Sequence, residues 1–255
     1  MSVALITGAS SGIGMEFAQQ LAQAQEVDEF WLVARRKDRL EALAASLPVP
    51  CRVIVADLAC EDGISALKTA LEAEKPSVKW LICAAGFGVF GNYAQVPEKQ
   101  VLGMIDVNVK ALVRVTYMTI PYMPAGGHVL EMGSGSCFTP LPNFNVYASS
   151  KAFVLHFGKA LRYEVKKQKL TVTVFCPGWV DTEFLGLAQP EGANGPKSMK
   201  PLLKVEPIVK KAIRACRRGR VMCVTNWYTK MQHVLFKILP DCILTKLWLK
   251  MQRNA

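Results

Sequence analysis

The sequence has few of the residues that build metal or disulfide sites. It contains three histidines in 255 residues, and no two of its eight cysteines are separated by two residues. Zinc sites and redox-active cysteine pairs usually need that spacing or additional histidines. We therefore expect no metal site and reduced thiols, as in a cytosolic protein.

The sequence also lacks an apolar run long enough to cross a membrane. A transmembrane helix needs about 20 apolar residues, and the C-terminal apolar stretch is interrupted at Lys237, Pro240, Asp241 and Lys246. The first predicted strand begins within two or three residues of Met1, which leaves no space for a signal peptide. These features predict a cytoplasmic protein.

Apolar segments of strand length alternate with amphipathic segments of helix length, as in a parallel sheet covered on both faces. The predicted strands are 3–6, 30–34, 52–56, 80–83, 128–132, 171–176 and 221–224. The predicted helices are 13–24, 37–46, 63–74, 101–122, 145–167 and 206–217. With 51% hydrophobic residues, the chain predicts a single α/β domain over residues 1–255, with a doubly wound parallel sheet of seven strands.

Residues 183–204 interrupt this alternation. Between Glu183 and Pro201 lie three glycines and three prolines, counting Pro201 itself, which predicts an irregular segment rather than a stable helix. Connections of this length are usually lids over binding sites or are disordered. We expect a substrate lid loop at residues 183–204.

A glycine-rich turn, TGASSGIG, follows the first predicted strand and opens the first helix. Glycine allows the backbone to approach phosphates closely, and a helix N-terminus binds anions. A purely structural turn is the alternative. The residues predicted to bind a dinucleotide here are Gly8, Ser10, Ser11, Gly12, Ile13 and Gly14.

The end of the second predicted strand distinguishes NAD from NADP. Ala34 stands where an acid would bind a free ribose 2′-hydroxyl, and Arg35, Arg36 and Lys37 follow it. Arginine suits a 2′-phosphate, so the pattern predicts NADP, bound by Arg35 and Arg36. Solvated surface charge is the alternative interpretation.

Tyr147 and Lys151 lie four residues apart in YASSK, on one face of a predicted helix. A phenol can deliver a proton to a carbonyl oxygen during hydride transfer. The ammonium and an oxidised nicotinamide would together lower the pKa of Tyr147. Ser134 follows the fifth predicted strand and can donate a hydrogen bond to the substrate oxygen. Ser136 is the alternative donor.

These motifs resemble those of the short-chain dehydrogenase/reductase family over at least residues 3–182. TGASSGIG, ADL, DVNVKAL, GSGS before YASSK, and PGWVDTEF occur in that family's order and spacing. The resemblance implies the Rossmann fold and a tetrad of Asn108, Ser134, Tyr147 and Lys151. In it, Lys151 also bonds the nicotinamide ribose, and Asn108 holds a local break in helical bonding and a water that relays protons to Lys151.

The resemblance implies further cofactor contacts after the third, fourth and sixth strands. These are Asp57 and Leu58 at the adenine ring, Ala84, Ala85 and Gly86, and Pro177, Gly178, Val180 and Thr182 near the nicotinamide and phosphates. Cys83 replaces an asparagine that is usual in the family. The side chain that normally makes this strand's stabilising hydrogen bonds is therefore missing.

Aromatic residues are expected around the reacting centre. Substrate contacts are predicted for Ser134, Phe87, Phe138, Trp179 and Phe184, with Phe90, Cys137, Leu141 and Leu187 nearby. Such walls favour a lipophilic carbonyl compound over a sugar. The alternative is that many of these side chains pack the core.

Two basic amphipathic helices are predicted at residues 226–255. From Lys197 to Ala255 there are 14 Lys and Arg residues and two acids, a net charge of +12, although the whole chain carries only +11. We favour packing on the domain or on a twin subunit, where the helices would shield the substrate entrance. The family resemblance implies a homodimer or homotetramer. Contact with an anionic membrane surface or an acidic carrier is the alternative. We recognise no nucleic-acid-binding module.

The leading interpretation is an NADP-dependent oxidoreductase that interconverts a lipophilic, hydroxysteroid-like secondary alcohol and its ketone. A 3-oxoacyl thioester reductase of fatty acid metabolism is the alternative enzyme. A noncatalytic NADP-binding sensor or scaffold is the alternative from another class, but such a protein does not need a proton donor.

Overall fold

The computed structural model describes residues 1–188, 195–196 and 199–253, and in this part of the chain seven parallel strands form one sheet. The order is β3-β2-β1-β4-β5-β6-β7. The strands are β1 Ser2–Thr7, β2 Glu29–Ala34, β3 Cys51–Val55, β4 Ser77–Cys83, β5 His128–Met132, β6 Thr171–Cys176 and β7 Met222–Val224. The predicted doubly wound sheet is therefore confirmed.

Helices cover both faces of the sheet. They are α1 Gly12–Gln23, α2 Lys37–Ser46, α3 Glu61–Glu74, α4 Glu98–Ile105, α5 Leu112–Thr119, α6 Asn145–Glu164, α7 Glu183–Ala188, α8 Val205–Arg217, α9 Trp227–Ile238 and α10 Asp241–Arg253. A π-helical segment, Asp106–Ala111, joins α4 to α5 within the predicted helix 101–122. Of the described helices, none is both long and apolar enough to span a bilayer.

The strands are buried on both faces, which explains why they read as continuous apolar runs. Val3 and Leu5 of β1 point into the core beneath α3, α5 and α6. Ala4 and Ile6 point into the second core, beneath α1, α2 and α8. The sheet is thereby fixed in register by burial on either side.

The strand order reverses between β1 and β4. At such a reversal the connections from neighbouring strands leave in opposite directions and open a crevice beyond the carboxyl ends of the strands. The glycine-rich turn after β1 and the segment after β4 therefore meet at this edge. The fold thus places the predicted nucleotide and reaction sites next to each other.

The expectation of an irregular segment from residue 183 is wrong at its start, because Glu183–Ala188 forms helix α7. Its ends are held in place: Glu183 forms an ion pair with Arg36, and Ala188 is fully buried. These contacts outweigh the helix-breaking tendency of Gly186. Residues 189–194 and 197–198 lie outside the described residues, so the lid role stays a prediction.

The C-terminal segment folds as two helices against the rest of the chain. Asn226 caps α9 by accepting a hydrogen bond from the Thr229 N–H at 2.8 Å. The indole N–H of Trp248 on α10 donates to the carbonyl oxygen of Pro142 at 2.9 Å. Gln252 accepts a hydrogen bond from the Asn143 amide at 2.7 Å. These bonds hold α10 over the segment that precedes α6.

Close packing of α6 on the sheet gives a test of the fold. A Cβ atom at Gly158 would lie 2.5 Å from Val174 Cγ2. We expect Gly158→Ala to lower the free energy of unfolding by about 1–3 kcal/mol through overpacking. Gly186→Ala is the control, since no described atom lies within 4 Å of its added Cβ. Denaturant unfolding measures both, and equal stability of the two variants would contradict this packing.

Candidate active site

A cavity of about 1160 Å³ opens at the carboxyl ends of the strands. Its walls come from the connections after β1, β2, β3, β4, β5 and β6, and from α7, α9 and α10. Every predicted cofactor residue lines it: Gly8, Ser10, Ser11, Gly12, Ile13, Gly14, Arg35, Arg36, Asp57, Leu58, Ala84, Ala85, Gly86, Tyr147, Lys151, Pro177, Gly178, Val180 and Thr182. Because Val107 of DVNVKAL also lines the cavity, residues of all five sequence motifs meet in one place.

Two glycines allow the turn after β1 to pack tightly. A Cβ at Gly8, where φ is +69°, would lie 2.8 Å from the backbone nitrogen of Ala85. A Cβ at Gly14 would lie 2.3 Å from the Gly8 carbonyl oxygen. Because no side chain fits at these positions, the turn lies against the segment after β4. The N-terminus of α1 then lines the cavity, where an anion can bind.

Arg36 lies against the serines of this turn. Its guanidinium donates hydrogen bonds to Ser10 Oγ at 3.1 Å and to Ser11 Oγ at 2.6 Å. It also pairs with Glu183 at 2.9 Å, while Arg39 contacts the other oxygen of the same carboxylate. The hydrogen bonds from both arginines lower the pKa of Glu183. The sequence reasoning missed Glu183 as a partner, although it lies in the PGWVDTEF motif.

Tyr147 and Lys151 lie one turn apart on α6 and are both buried. The Lys151 ammonium nitrogen is 5.7 Å from the centroid of the Tyr147 ring and donates a hydrogen bond to the Met132 carbonyl oxygen at 2.8 Å. A hydrogen bond with the Ser134 side chain acts on the phenol. Three of the four predicted catalytic residues therefore meet on the cavity wall.

The protein groups around Tyr147 do not produce the expected lowering of its pKa. Burial raises the pKa of Tyr147 to about 12, and the hydrogen bond with Ser134 only partly opposes this shift. Burial also lowers the pKa of Lys151 to about 8. For both groups, the cost of moving charge out of water is the largest cause of the shift. At neutral pH the phenol keeps its proton, which is the state that a proton donor needs.

Asn108 lies in the π-helical segment, is fully buried and does not line the cavity. Its side-chain oxygen accepts a hydrogen bond from the Phe87 N–H at 3.0 Å. Its amide donates to the Phe87 carbonyl oxygen at 2.9 Å and to Ser150 Oγ at 3.1 Å. A Cβ at Gly86 would lie 2.8 Å from Asn108 Oδ1 and 3.4 Å from Lys151 Nζ. Asn108 therefore fixes the segment after β4 against α6.

The end of β4 is stabilised by a thiol, two hydroxyl groups and a carboxyl group instead of an asparagine amide. The Cys83 thiol lies 3.6 Å from the Thr116 hydroxyl, which donates to Glu131 Oε1 at 2.8 Å. The Ala85 N–H donates to Thr7 Oγ1 at 3.2 Å. The chain thus replaces the expected amide with a buried thiol, hydroxyl and carboxyl.

Most predicted substrate residues line the cavity, namely Ser134, Phe87, Trp179, Phe184, Leu141 and Leu187. Phe138 does not line the cavity, so its contact with the substrate stays a prediction. Its ring packs against His233 of α9, with centroids 4.0 Å apart, because the short 3-10 helix Gly135–Phe138 turns it towards α9. Cys137 and Phe90 are buried away from the cavity lining.

The C-terminal helices, expected to pack on the domain and shield the substrate entrance, supply part of the cavity wall. The lining residues from α9 and α10 are Tyr228, Thr229, Met231, Gln232, Leu235, Phe236, Leu244, Leu247, Trp248, Lys250 and Met251. Their amphipathic spacing was a usable signal, but spacing alone does not distinguish a cavity wall from an outer contact face.

Comparison with known proteins agrees with this geometry. The sequence matches the short chain dehydrogenase family over residues 2–191. It is 35% identical to sulfoacetaldehyde reductase 2 of Chromohalobacter salexigens over 191 residues, covering 71% of this chain and 74% of that protein. It is 33% identical to serine 3-dehydrogenase of Rhizobium radiobacter over 185 residues, covering 71% and 72% of the two chains.

Solved structures extend the similarity to almost the whole chain. A short-chain dehydrogenase from Sphingobium yanoikuyae in complex with NADPH superimposes with a TM-score of 0.79 at 25% identity, over 94% of this chain and 97% of that one. A 7beta-hydroxysteroid dehydrogenase gives a TM-score of 0.82 at 22% identity, over 97% and 96%, which speaks to the fold alone. The chain belongs to the short-chain dehydrogenase family and is an oxidoreductase of that family.

Proposed function

We propose that the protein is an NADP-dependent oxidoreductase that interconverts a lipophilic secondary alcohol and its ketone. The observation that carries this proposal is the placement of the Tyr147 phenol, with Ser134 beside it, on the wall of a cavity that also contains the glycine-rich turn. A proton donor and a phosphate-binding turn in one cavity are what a carbonyl reductase needs. A noncatalytic sensor or scaffold would not need the proton donor.

The residues of the cavity fit a dinucleotide. The tight turn at Gly8 and Gly14 leaves the N-terminus of α1 for the pyrophosphate. Asp57 and Leu58 would border the adenine ring, and Lys151 would bond the nicotinamide ribose. When bound, NADPH supplies the hydride for carbonyl reduction.

The residues for a 2′-phosphate come from β2 and its following turn. Arg36 lies against Ser10 and Ser11, and Arg35 extends beside Asp57 with 4.0 Å between charged atoms. The last residue of β2 is Ala34, which has no carboxylate to bind a free ribose hydroxyl. The planar donors of Arg36 suit a phosphate dianion. This arrangement supports NADP over NAD.

The residues of the chain divide the proton chemistry between them. Ser134 donates a hydrogen bond to the carbonyl oxygen and stabilises the negative charge that develops there. The O–H bond of Tyr147 breaks as a new O–H bond forms on the substrate oxygen, which leaves a phenolate. The Lys151 ammonium stabilises that phenolate. Asn108 keeps the segment after β4 in place.

The walls of the cavity support a lipophilic substrate. Phe87, Trp179 and Phe184 lie on one side, and α9 and α10 supply Leu235 and Leu247 on the other. The two named relatives act on small polar compounds by their names, but the family match ends at residue 191. The wall from α9 and α10 lies beyond that match, so substrate size is free to differ. A 3-oxoacyl thioester is the alternative substrate of the same class.

An assembly of two or four cytoplasmic subunits is part of the proposal. Leu102, Ile105, Tyr117 and Phe153 are 38–56% exposed on the outer faces of α4, α5 and α6. These helices also carry Tyr147 and flank the segment that contains Asn108. The family resemblance implies that subunits assemble through these helices. Burial of that face would remove apolar surface from water.

The C-terminal helices support a peripheral contact with an anionic membrane, in preference to an acidic carrier. Trp227, Val234 and Ile238 recur along one side of α9 and are 73%, 56% and 73% exposed. Lys230 and Lys250 are exposed on the same pair of helices. Apolar side chains flanked by lysines are typical of interfacial helices.

Tyr147→Phe tests the proton donor. It removes only the hydroxyl group, so we expect carbonyl reduction to slow by about 10²–10⁴-fold while NADPH binding persists. NADPH oxidation would be followed with a panel of steroids, bile acids, 3-oxoacyl thioesters and simple aldehydes. Tyr163→Phe, at an exposed position on the same helix, is the control. Parental turnover by the Tyr147 variant would refute its role as the acid.

Arg36→Ala tests the choice of cofactor. Loss of charge-assisted hydrogen bonds of about 1.5–3 kcal/mol predicts roughly 10–100-fold weaker NADPH binding, with little change for NADH. Arg39→Ala is a matched control, because Arg39 contacts the same Glu183 carboxylate but does not line the cavity. Nicotinamide fluorescence measures both affinities. An equal loss for NADH and NADPH would show that Arg36 does not read the phosphate.

Val234→Asp with Ile238→Asp tests the membrane contact. We expect the parent protein to sediment with anionic vesicles at low salt. The double variant should bind at least about tenfold more weakly, because two exposed apolar side chains that would enter the membrane surface become charged. Tyr93→Asp, at a side chain that is 91% exposed before α4, is the control for added charge. No sedimentation of the parent protein would remove this contact from the proposal.

A further inference from the structure

Beside the proposed catalytic pair lies a buried carboxyl group that the proton chemistry above does not use. Glu131 on β5 is fully buried. Its Oε1 accepts a hydrogen bond from the Thr116 hydroxyl at 2.8 Å, and its Oε2 has no hydrogen-bond partner in the described part of the chain. A carboxyl group in such surroundings stays neutral or needs a positive charge nearby.

Three neighbouring elements enclose this group. On β4, Cys83 is the register partner of Glu131, and its thiol lies 3.6 Å from Thr116 Oγ1 on α5. On α6, a Cβ at Gly158 would lie 3.7 Å from Glu131 Cγ. The titratable groups that face the carboxyl group are therefore the Cys83 thiol and the Lys151 ammonium.

Lys151 bonds to the residue next to Glu131, and the charge of its ammonium acts on the Glu131 carboxyl group. Its ammonium donates to the carbonyl oxygen of Met132, the residue next to Glu131, at 2.8 Å. Burial raises the pKa of Glu131 to about 7, while hydrogen bonds and the charge of Lys151 act in the other direction. Because burial lowers the pKa of Lys151 to about 8, the two groups change charge in neighbouring pH ranges.

Two further thiols act on the charge of the ammonium. They belong to Cys137 and Cys176, whose sulfur atoms are 3.8 Å apart. Their hydrogen bond, together with burial, raises the pKa of Cys176 well above its usual value. Glu131 is therefore the neighbouring acid whose ionisation would place a negative charge near Lys151 at about neutral pH.

We propose that Glu131 is a positioning residue for Lys151: its ionised carboxylate holds the ammonium in its charged form and extends the pH range over which Lys151 supports Tyr147. The Thr116 hydroxyl and the Cys83 thiol orient the carboxyl group at the strand end where the family usually has an amide. This inference rests on the proposed function, since Lys151 acts there beside Tyr147.

Glu131→Gln keeps the shape of the side chain and removes its ionisation. We expect the alkaline limb of kcat/KM for NADPH-dependent ketone reduction to move to lower pH by about 0.5–1 unit, because the ammonium loses its anionic neighbour. A purely structural role would change stability or kcat without moving this limb. Glu164→Gln, at an exposed position on the same helix as Lys151, is the control and should leave the profile unchanged.

Thr116→Val is the second variant, because it keeps the carboxyl group and removes a hydrogen bond that favours its ionised form. The alkaline limb should move in the same direction as in Glu131→Gln. Infrared spectra should show a protonated carboxyl band that disappears near neutral pH in the parent, at higher pH in Thr116→Val, and that is missing in Glu131→Gln.

Thermal unfolding at different pH values tests the ionisation of Glu131 without measuring enzyme activity. The folded-state pKa of Glu131 is raised from 4.5 to about 7, so its contribution to stability is fully present below 4.5 and is lost as pH rises through 7. The melting temperature of the parent should therefore fall relative to that of Glu131→Gln over this range. A constant difference would mean that the carboxyl group does not ionise as proposed.

Unchanged alkaline limbs in both variants overturn the proposal. If no carbonyl compound is reduced at all, the proposed function fails separately. The pH dependence of NADPH binding, followed by nicotinamide fluorescence, then provides the comparison, because Lys151 would also bond the ribose. A shift to lower pH in both variants supports the role of Glu131, and identical binding profiles for the parent and both variants overturn it.

Discussion

The site depends on one hydrogen bond that keeps a positive charge inside the protein. The Lys151 ammonium is buried, and it donates to the Met132 carbonyl oxygen at the end of β5. Without this acceptor, burial would drive the ammonium towards its neutral form more strongly than it already does. The same bond fixes α6 relative to the sheet. The position of the Tyr147 phenol, one helical turn earlier, follows from that attachment.

The sheet and the nucleotide half of the cavity could be predicted from the sequence because their signals are local. Strands buried on both faces give apolar runs, and tight turns need glycine at fixed places, as at Gly8 and Gly14. Residues from five separate motifs line one cavity because parallel strands all end at the same edge of the sheet. Local sequence patterns therefore carry both the topology and the cofactor side of the site.

The remainder could not be predicted because it depends on contacts between segments distant in sequence. Helix α7 forms where glycine and proline predict a loop, since Glu183 reaches arginines of α2 and of the turn before it. Phe138 faces α9 rather than the cavity because a short 3-10 helix sets its direction. The raised pKa of Tyr147 reflects burial, and the spacing of Tyr147 and Lys151 carries no information about burial.

The π-helical segment Asp106–Ala111 has a consequence for the second half of its helix. A π turn holds one residue more per hydrogen bond than an α turn, so it rotates everything after it by about 100° relative to an uninterrupted α-helix. An uninterrupted α-helix through the same residues would turn Thr116 away from Glu131 and bring a different side of α5 towards the sheet. The irregularity at Asn108 therefore sets the orientation of α5 as well as the local geometry beside the cavity.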